Sequence, residues 1–149
     1  MKNFPLKIQQ QLLKDICNDK GHNWNIEFPK SDAIYFGSST FCFCLNNKDF
    51  LFSFQSLINK GCREVRCYSK CFESLENLEH LEYECTISDE KELVVLKSNN
   101  EKIYLDLKLL KNFGNVNELN FKGLKSNSPV YIYNDNILLG LLLPVFRKD

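Results

Sequence analysis

Phe41-Cys-Phe-Cys-Leu45 alternates bulky and small apolar residues, Trp24-Asn-Ile-Glu-Phe28 alternates apolar and polar ones, and the segment around Ile34-Tyr-Phe36 is read with the same period of two. Side chains two apart share a face of an extended chain, so this period of two predicts strands. Pro29, Ser31, Asp32 and Gly37-Ser-Ser39 separate the three segments as turn residues, which predicts a short antiparallel meander. Working outward, the period changes on both sides. Upstream, Pro5 suits a first helical turn, and Ile8, Leu12, Leu13, Ile16 and Cys17 recur at helical spacing, with Gly21 as the expected stop. Downstream, Asn47 or Asp49 is the expected cap of a helix carrying Phe50, Leu51, Phe54, Leu57 and Ile58 on one face, with Gly61 just past its end.

The second half repeats this mixture. Phe72, Leu75 and Leu78 are spaced to face inward from a helix over about residues 69–81, with Glu73, Glu76, Glu79 and Glu82 outward. Tyr83–Ile87, Leu93–Leu96 and Lys102–Leu105 then read as strands, and Asp106 as the cap of a short helix bearing Leu107, Leu110 and Phe113 up to Gly114. Leu119–Phe121, Pro129–Tyr133 and Ile137–Phe146 complete the strand set, with Asn134-Asp-Asn136 as a hairpin turn. The expected fold class is α+β, a mostly antiparallel sheet with short helices on one face. A chain of 149 residues supports a single domain, 1–149, or two pseudo-repeated halves of about 1–65 and 66–149.

The 19 basic and 19 acidic residues cancel, which excludes holding nucleic acid or an anionic membrane by bulk charge. No apolar run at the start has the length of a signal peptide, and the run Ile137–Phe146 is too short to span a bilayer and contains Gly140 and Pro144. A cytoplasmic protein without membrane contact is expected. Seven cysteines, an odd number, fit free thiols in a reducing compartment.

Few patterns point to chemistry. Cys62-x4-Cys67-x3-Cys71, with His80 and Cys85 further along, supplies enough ligands for tetrahedral zinc, yet lacks the tight C-x2-C pair of common zinc modules. Structural thiols are the preferred reading, and no metal or other cofactor is expected. Cys42 and Cys44 share one face of a strand, where a thiol packs as a small hydrophobe. Neither His22 nor His80 has a nucleophile with an orienting carboxylate nearby in sequence, and the phosphate-loop, dinucleotide and zincin motifs are absent, so a non-enzymatic protein is expected. Lys108 and Lys111 stand three apart on the short helix and offer a weak phosphate-facing surface, although lysine on a solvated helix is the simpler reading. The acidic face at Glu73, Glu76 and Glu79 is the alternative binding surface, suited to a basic protein partner in a small mobile-element or phage interaction protein.

Lys102-Ile-Tyr-Leu-Asp-Leu-Lys-Leu-Leu-Lys111, Val116-Asn-Glu-Leu-Asn-Phe121, Ser128-Pro-Val-Tyr-Ile-Tyr133 and the ending Leu141-Leu-Leu-Pro-Val-Phe-Arg147 together resemble the C-terminal domain of the bacterial DNA polymerase III β sliding clamp. The resemblance covers about residues 101–147. It implies a clamp-type architecture of strand and helix units, a role in DNA replication, and helices that face DNA, which would place Lys108 and Lys111 on that side. It also implies a hydrophobic cleft for linear motifs of protein partners, with Leu143, Pro144, Val145 and Phe146 at the matching positions. Subunits of that family carry three such domains, so this chain would act as a free domain or as part of a homo-oligomer. The Phe-Asn pair that usually precedes the short helix is replaced by Glu101-Lys-Ile-Tyr104.

Overall fold

Residues 4–27, 32–73, 75–99, 101–124 and 127–147 are described by a computed structural model. The chain divides into two compact units, Lys2–Ser74 and Leu75–Asp149, and both mix helices with mostly antiparallel strands, as the α+β reading expects. Among the described residues, no helix is long and apolar enough to cross a membrane.

The first unit opens with α1 (Phe4–Cys17), which buries Ile8 and Leu12. The helix stops earlier than Gly21. Asp19 takes the left-handed conformation at φ 58°, its N–H donating to the Ile16 carbonyl while Lys20 N–H donates to that of Asp15. This is a Schellman ending with Asp in the place glycine usually takes. Gly21 serves close packing instead, since a Cβ there would lie 2.2 Å from the Lys60 carbonyl oxygen.

The expected meander forms from β1 (Asn25–Glu27), β2 (Ala33–Gly37) and β3 (Phe41–Asn46), all antiparallel. A strand with no sequence signal, β4 (Arg63–Val65), joins it parallel to β1, giving the order β4-β1-β2-β3 within this unit. Ile26 pairs with Phe36 and Phe36 with Phe43, so these side chains share one face. Trp24 packs its ring within about 6 Å of Phe36, Phe41 and Phe43 and donates its indole N–H to Asp15 of α1 at 2.7 Å.

The next helix, α2 (Phe54–Asn59), starts later than expected. Asn46 caps a 3-10 turn at Asn47–Asp49, and Ser53 caps α2 by accepting from Ser56 N–H. The delay has a physical cause in Gln9, 2% exposed, whose amide donates to the Asp49 carbonyl and accepts from Leu51 N–H. Those backbone groups are held by a side chain and are not available to a helix running through Phe50 and Leu51. Gly61, at φ 96°, ends α2 where the sequence placed it.

The one-turn helix α3 (Tyr68–Cys71) corrects two expectations. No helix runs over 69–81: Phe72 and Glu73 leave α3, and Glu79 already begins a strand. A three-residue apolar spacing over two turns is weak support for a helix whose nucleation is costly, and strand pairing from Glu79 onward outweighs it. The second correction concerns the faces of the sheet. Glu27 pairs with Tyr35, opposite in face to Phe36, and its carboxylate accepts from Tyr68 N–H at 3.0 Å and Ser69 N–H at 3.1 Å, while Phe72 stacks on Tyr35. The short helices therefore flank this sheet on both faces rather than one, because a buried carboxylate requires donors and α3 brings them.

The second unit is a run of antiparallel strands in the order β10-β9-β8-β5-β6-β7. They are β5 (Glu79–Ser88), β6 (Glu92–Ser98), β7 (Glu101–Asp106), β8 (Asn120–Gly123), β9 (Val130–Asn134) and β10 (Ile137–Leu142). Asp106 caps α4 (Leu107–Leu110) by accepting from Lys108 N–H at 2.9 Å, and Leu110 and Phe113 are fully buried. Asn134 pairs with Ile137 around a two-residue turn with Asp135 at φ 52°, the hairpin read from the sequence. The last strand ends at Leu142, four residues before Phe146. Leu142 pairs with Val130, and the preceding Pro129 has no N–H with which to extend the ladder.

Glu27→Ala removes the acceptor of one buried and one part-buried backbone N–H group, and a loss of about 1–3 kcal/mol is expected in urea denaturation followed by Trp24 fluorescence. Glu27→Gln, which keeps one acceptor oxygen, should lose less. Equal stability of all three proteins would show that α3 is held by other contacts.

Candidate functional site

β6 and β7 bury both of their faces. Val94, Leu96, Ile103 and Leu105 pair across the two strands and face one side, where all four are at most 1% exposed. Leu93, Val95 and Tyr104 face the other and form a separate cluster, with Ile87 of β5 and Val145 of the C-terminal segment packed against it. Residues 143–147 are not in a regular element, yet they are anchored. Val145 N–H donates to the Tyr104 carbonyl at 2.7 Å, on β7, the last strand in this unit's order. Arg147 sets its guanidinium over the Tyr104 ring, 5.3 Å from the centroid, and its Nε lies 3.5 Å from Asp89 Oδ2.

This geometry divides the four residues expected at a partner cleft. Val145 points inward as a filler of the small cluster, Pro144 is half-buried, and Leu143 and Phe146 face solvent. Phe146 is 91% exposed, flanked by the two anchored residues Val145 and Arg147. Tyr104 and Asp89 were not singled out as site residues, though a signal existed. Leu93–Leu96 and Ile103–Leu105 are continuous apolar runs, the mark of strands covered on both faces, and a second cover had to come from somewhere.

The other candidates are dispersed or shielded. Cys62 is buried just beyond α2, Cys67 precedes α3 and Cys71 ends it, while His80 and Cys85 belong to β5 in the other unit. Among the described residues, no three His, Cys, Asp or Glu side chains group as metal ligands. Burial raises the thiol pKa of Cys62 and Cys71, pushes Cys44 up to about 11, and holds Cys42 well above the ordinary value, with the neighbouring Cys44 adding to the last. A raised pKa suppresses the thiolate, the reactive form, so none of these four is an activated nucleophile. His22 lies exposed in the turn after α1. His80 is exposed in an open polar groove with Glu79, Glu82, Lys97, Ser98 and Asn99, where Ser98 Oγ donates to Glu79.

Glu73, Glu76 and Glu79 are exposed, but the absence of a helix removes the shared helical face expected of them. Lys108 in α4 and Lys111 just after it are exposed. A cavity of about 80 Å3 between Ile26, Ile34, Phe50, Phe52, Phe54 and Leu57 is well below the ~300 Å3 at which small-molecule pockets begin.

Comparison of the chain with protein-family models, curated proteins and solved structures yields no match.

Two outcomes are expected from the thiols. In the native protein Cys17, Cys67, Cys71 and Cys85 should alkylate with iodoacetamide well before Cys42 and Cys62, read by peptide mass spectrometry. Alkaline pH should destabilise the first unit through Cys44. Below pH about 9 its thiol is neutral whether folded or not; between pH 9 and about 11 only the unfolded chain ionises, so stability falls across that window. Cys44→Val should lessen the decline measured by urea denaturation at successive pH values, the rest coming from groups such as Cys42 and Tyr35 whose pKa values are raised as well, and an unchanged slope would remove Cys44 as a contributor.

Proposed function

We propose that this chain is a non-enzymatic binding protein that engages a protein partner through the outward side of its C-terminal segment, Leu143 and Phe146. The observation that carries this reading is the exposure of Phe146 on a segment pinned on either side, by Val145 N–H to Tyr104 and by Arg147 to Asp89 and the Tyr104 ring. A large aromatic side chain held in a fixed backbone loses little freedom when it docks, and this is the character of residues that dominate interfaces. A partner that buries the phenyl ring would gain about 1.5–3 kcal/mol from the transfer of that side chain out of water. The dispersed thiols give no competing support to catalysis.

The setting in DNA replication rests on the resemblance of residues 101–147 to the sliding-clamp domain. In this reading the partners are proteins carrying linear motifs, the setting is cytoplasmic, and Lys108 and Lys111 are the residues that would approach DNA.

Peptides carrying the linear motifs that bind sliding clamps are the direct probe, titrated in fluorescence anisotropy. Binding to the native chain should weaken about tenfold in Phe146→Ala, with an unchanged thermal melt because the ring is in solvent. Failure of every such peptide to bind the folded native chain would remove the replication setting. Equal binding to native and Phe146→Ala proteins would remove the site.

A further inference from the structure

We infer that the surface beneath the C-terminal segment is a receptor for an extended apolar-x-Arg peptide strand, and that residues 145–147 occupy it in cis. The receptor has three parts, each displayed by the chain's own occupant. The first is a backbone acceptor, the Tyr104 carbonyl of β7, which takes the Val145 N–H at 2.7 Å. The second is the apolar seat of Leu93, Val95, Ile87 and the Tyr104 side chain, in which Val145 packs. The third is a cation site, where Asp89 Oδ2 lies 3.5 Å from Arg147 Nε and the Tyr104 ring lies beneath the guanidinium.

The spacing of these parts matches an extended ligand. Residues i and i+2 of a strand project to the same side, as Val145 and Arg147 do, while residue i+1 projects away, as Phe146 does. One main-chain hydrogen bond to a strand, together with pockets for alternate side chains, is the chemistry of β-strand addition. The seat is also modest in its hold. Its holding contacts include one β-branched side chain, one backbone hydrogen bond, a ring contact and an ion pair whose members are partly exposed, 33% for the Arg147 side chain and 48% for that of Asp89. Pairs of that exposure contribute little to stability. The occupant can therefore leave without unfolding β6 and β7, whose pairing does not involve it.

This inference concerns the inward side of the segment and does not rest on Phe146 being a contact. It commits to a partner segment with a β-branched or other apolar residue two positions before an arginine. A tethered occupant competes at an effective concentration in the millimolar range, so a free peptide at micromolar concentration cannot displace it from the native chain.

The test uses the full chain carrying Val145→Asp, which unseats the internal occupant, and a fluorescent acetylated peptide with the sequence of residues 143–147. The peptide should bind this variant at least about tenfold more tightly than it binds the native chain, as removal of a millimolar competitor requires. Adding Asp89→Asn should weaken that binding about fivefold, and a peptide with glutamate in place of its arginine should not bind. Val145→Ser serves as a second, milder unseating variant, and the amide spectrum of β6 and β7 reports that each variant is folded. No binding to either folded variant overturns the inference. So does tail exchange between copies, seen as a dimer of the native chain in sedimentation velocity that Val145→Asp abolishes.

Discussion

The two-sided burial of β6 and β7 is the constraint from which the C-terminal half is built. Four consecutive residues, Leu93 to Leu96, are at most 3% exposed, so both faces of this pair are covered. One face carries Val94, Leu96, Ile103 and Leu105, all at most 1% exposed, and α4, started by the Asp106 cap, adds the fully buried Leu110 to this unit's core. The other carries the smaller patch of Leu93, Val95 and Tyr104, with Ile87 beside Leu93 on the same face, and Val145 of the final segment packs against it. Val145 packs on that patch, Phe146 projects away from it into solvent, and Arg147 returns to the Tyr104 ring.

The N-terminal unit solves a different problem, the placing of polar side chains in a core rich in phenylalanine. Gln9 and Glu27 are each 2% exposed, and both are saturated by backbone groups far away in sequence. Gln9 holds the segment before α2 and so sets where that helix can begin. Glu27 fixes α3 on the face that carries Tyr35, Cys42 and Cys44, and Tyr68 adds a hydrogen bond from its hydroxyl to the Ser38 carbonyl at 2.7 Å. The same enclosure explains the quiet chemistry of the thiols. Cys42, Cys44 and Cys62 sit where burial disfavours a charge, and Tyr35 beside Cys44 is pushed up to about 12 chiefly for the same reason.

Much of the secondary structure was legible because local periodicity reports it. The meander of β1 to β3, the β5-β6-β7 run, the Asp106 cap, the Gly61 ending and the turn at Asp135 were all readable from residues a few positions apart. The misreadings fall where a distant group intervened. Gly21 looked like a helix stop, but Asp19 adopts the left-handed conformation and glycine is needed for the approach of the Lys60 backbone. A helix over 69–81 had the spacing of one, but Glu79 and its neighbours gain strand partners in β8 and β6. The site was legible only in part. Leu143 to Phe146 stood out as an apolar run, while their division into an inward valine and an outward phenylalanine depends on Tyr104 and Asp89, about 40 and 55 positions away in sequence.

By itself the amino-acid sequence determined the α+β class, the order of most strands and helices, and the absence of bulk charge for holding nucleic acid. These are set by side-chain period, turn chemistry and composition, which act over a few residues or over the whole chain at once. Tertiary structure alone decided that β4 pairs parallel to β1, that helices lie on both faces of the first sheet, and which way each residue of the final segment points. Those outcomes depend on which buried donor meets which acceptor and which apolar face lacks a cover, and such needs are met between residues that sequence distance does not relate.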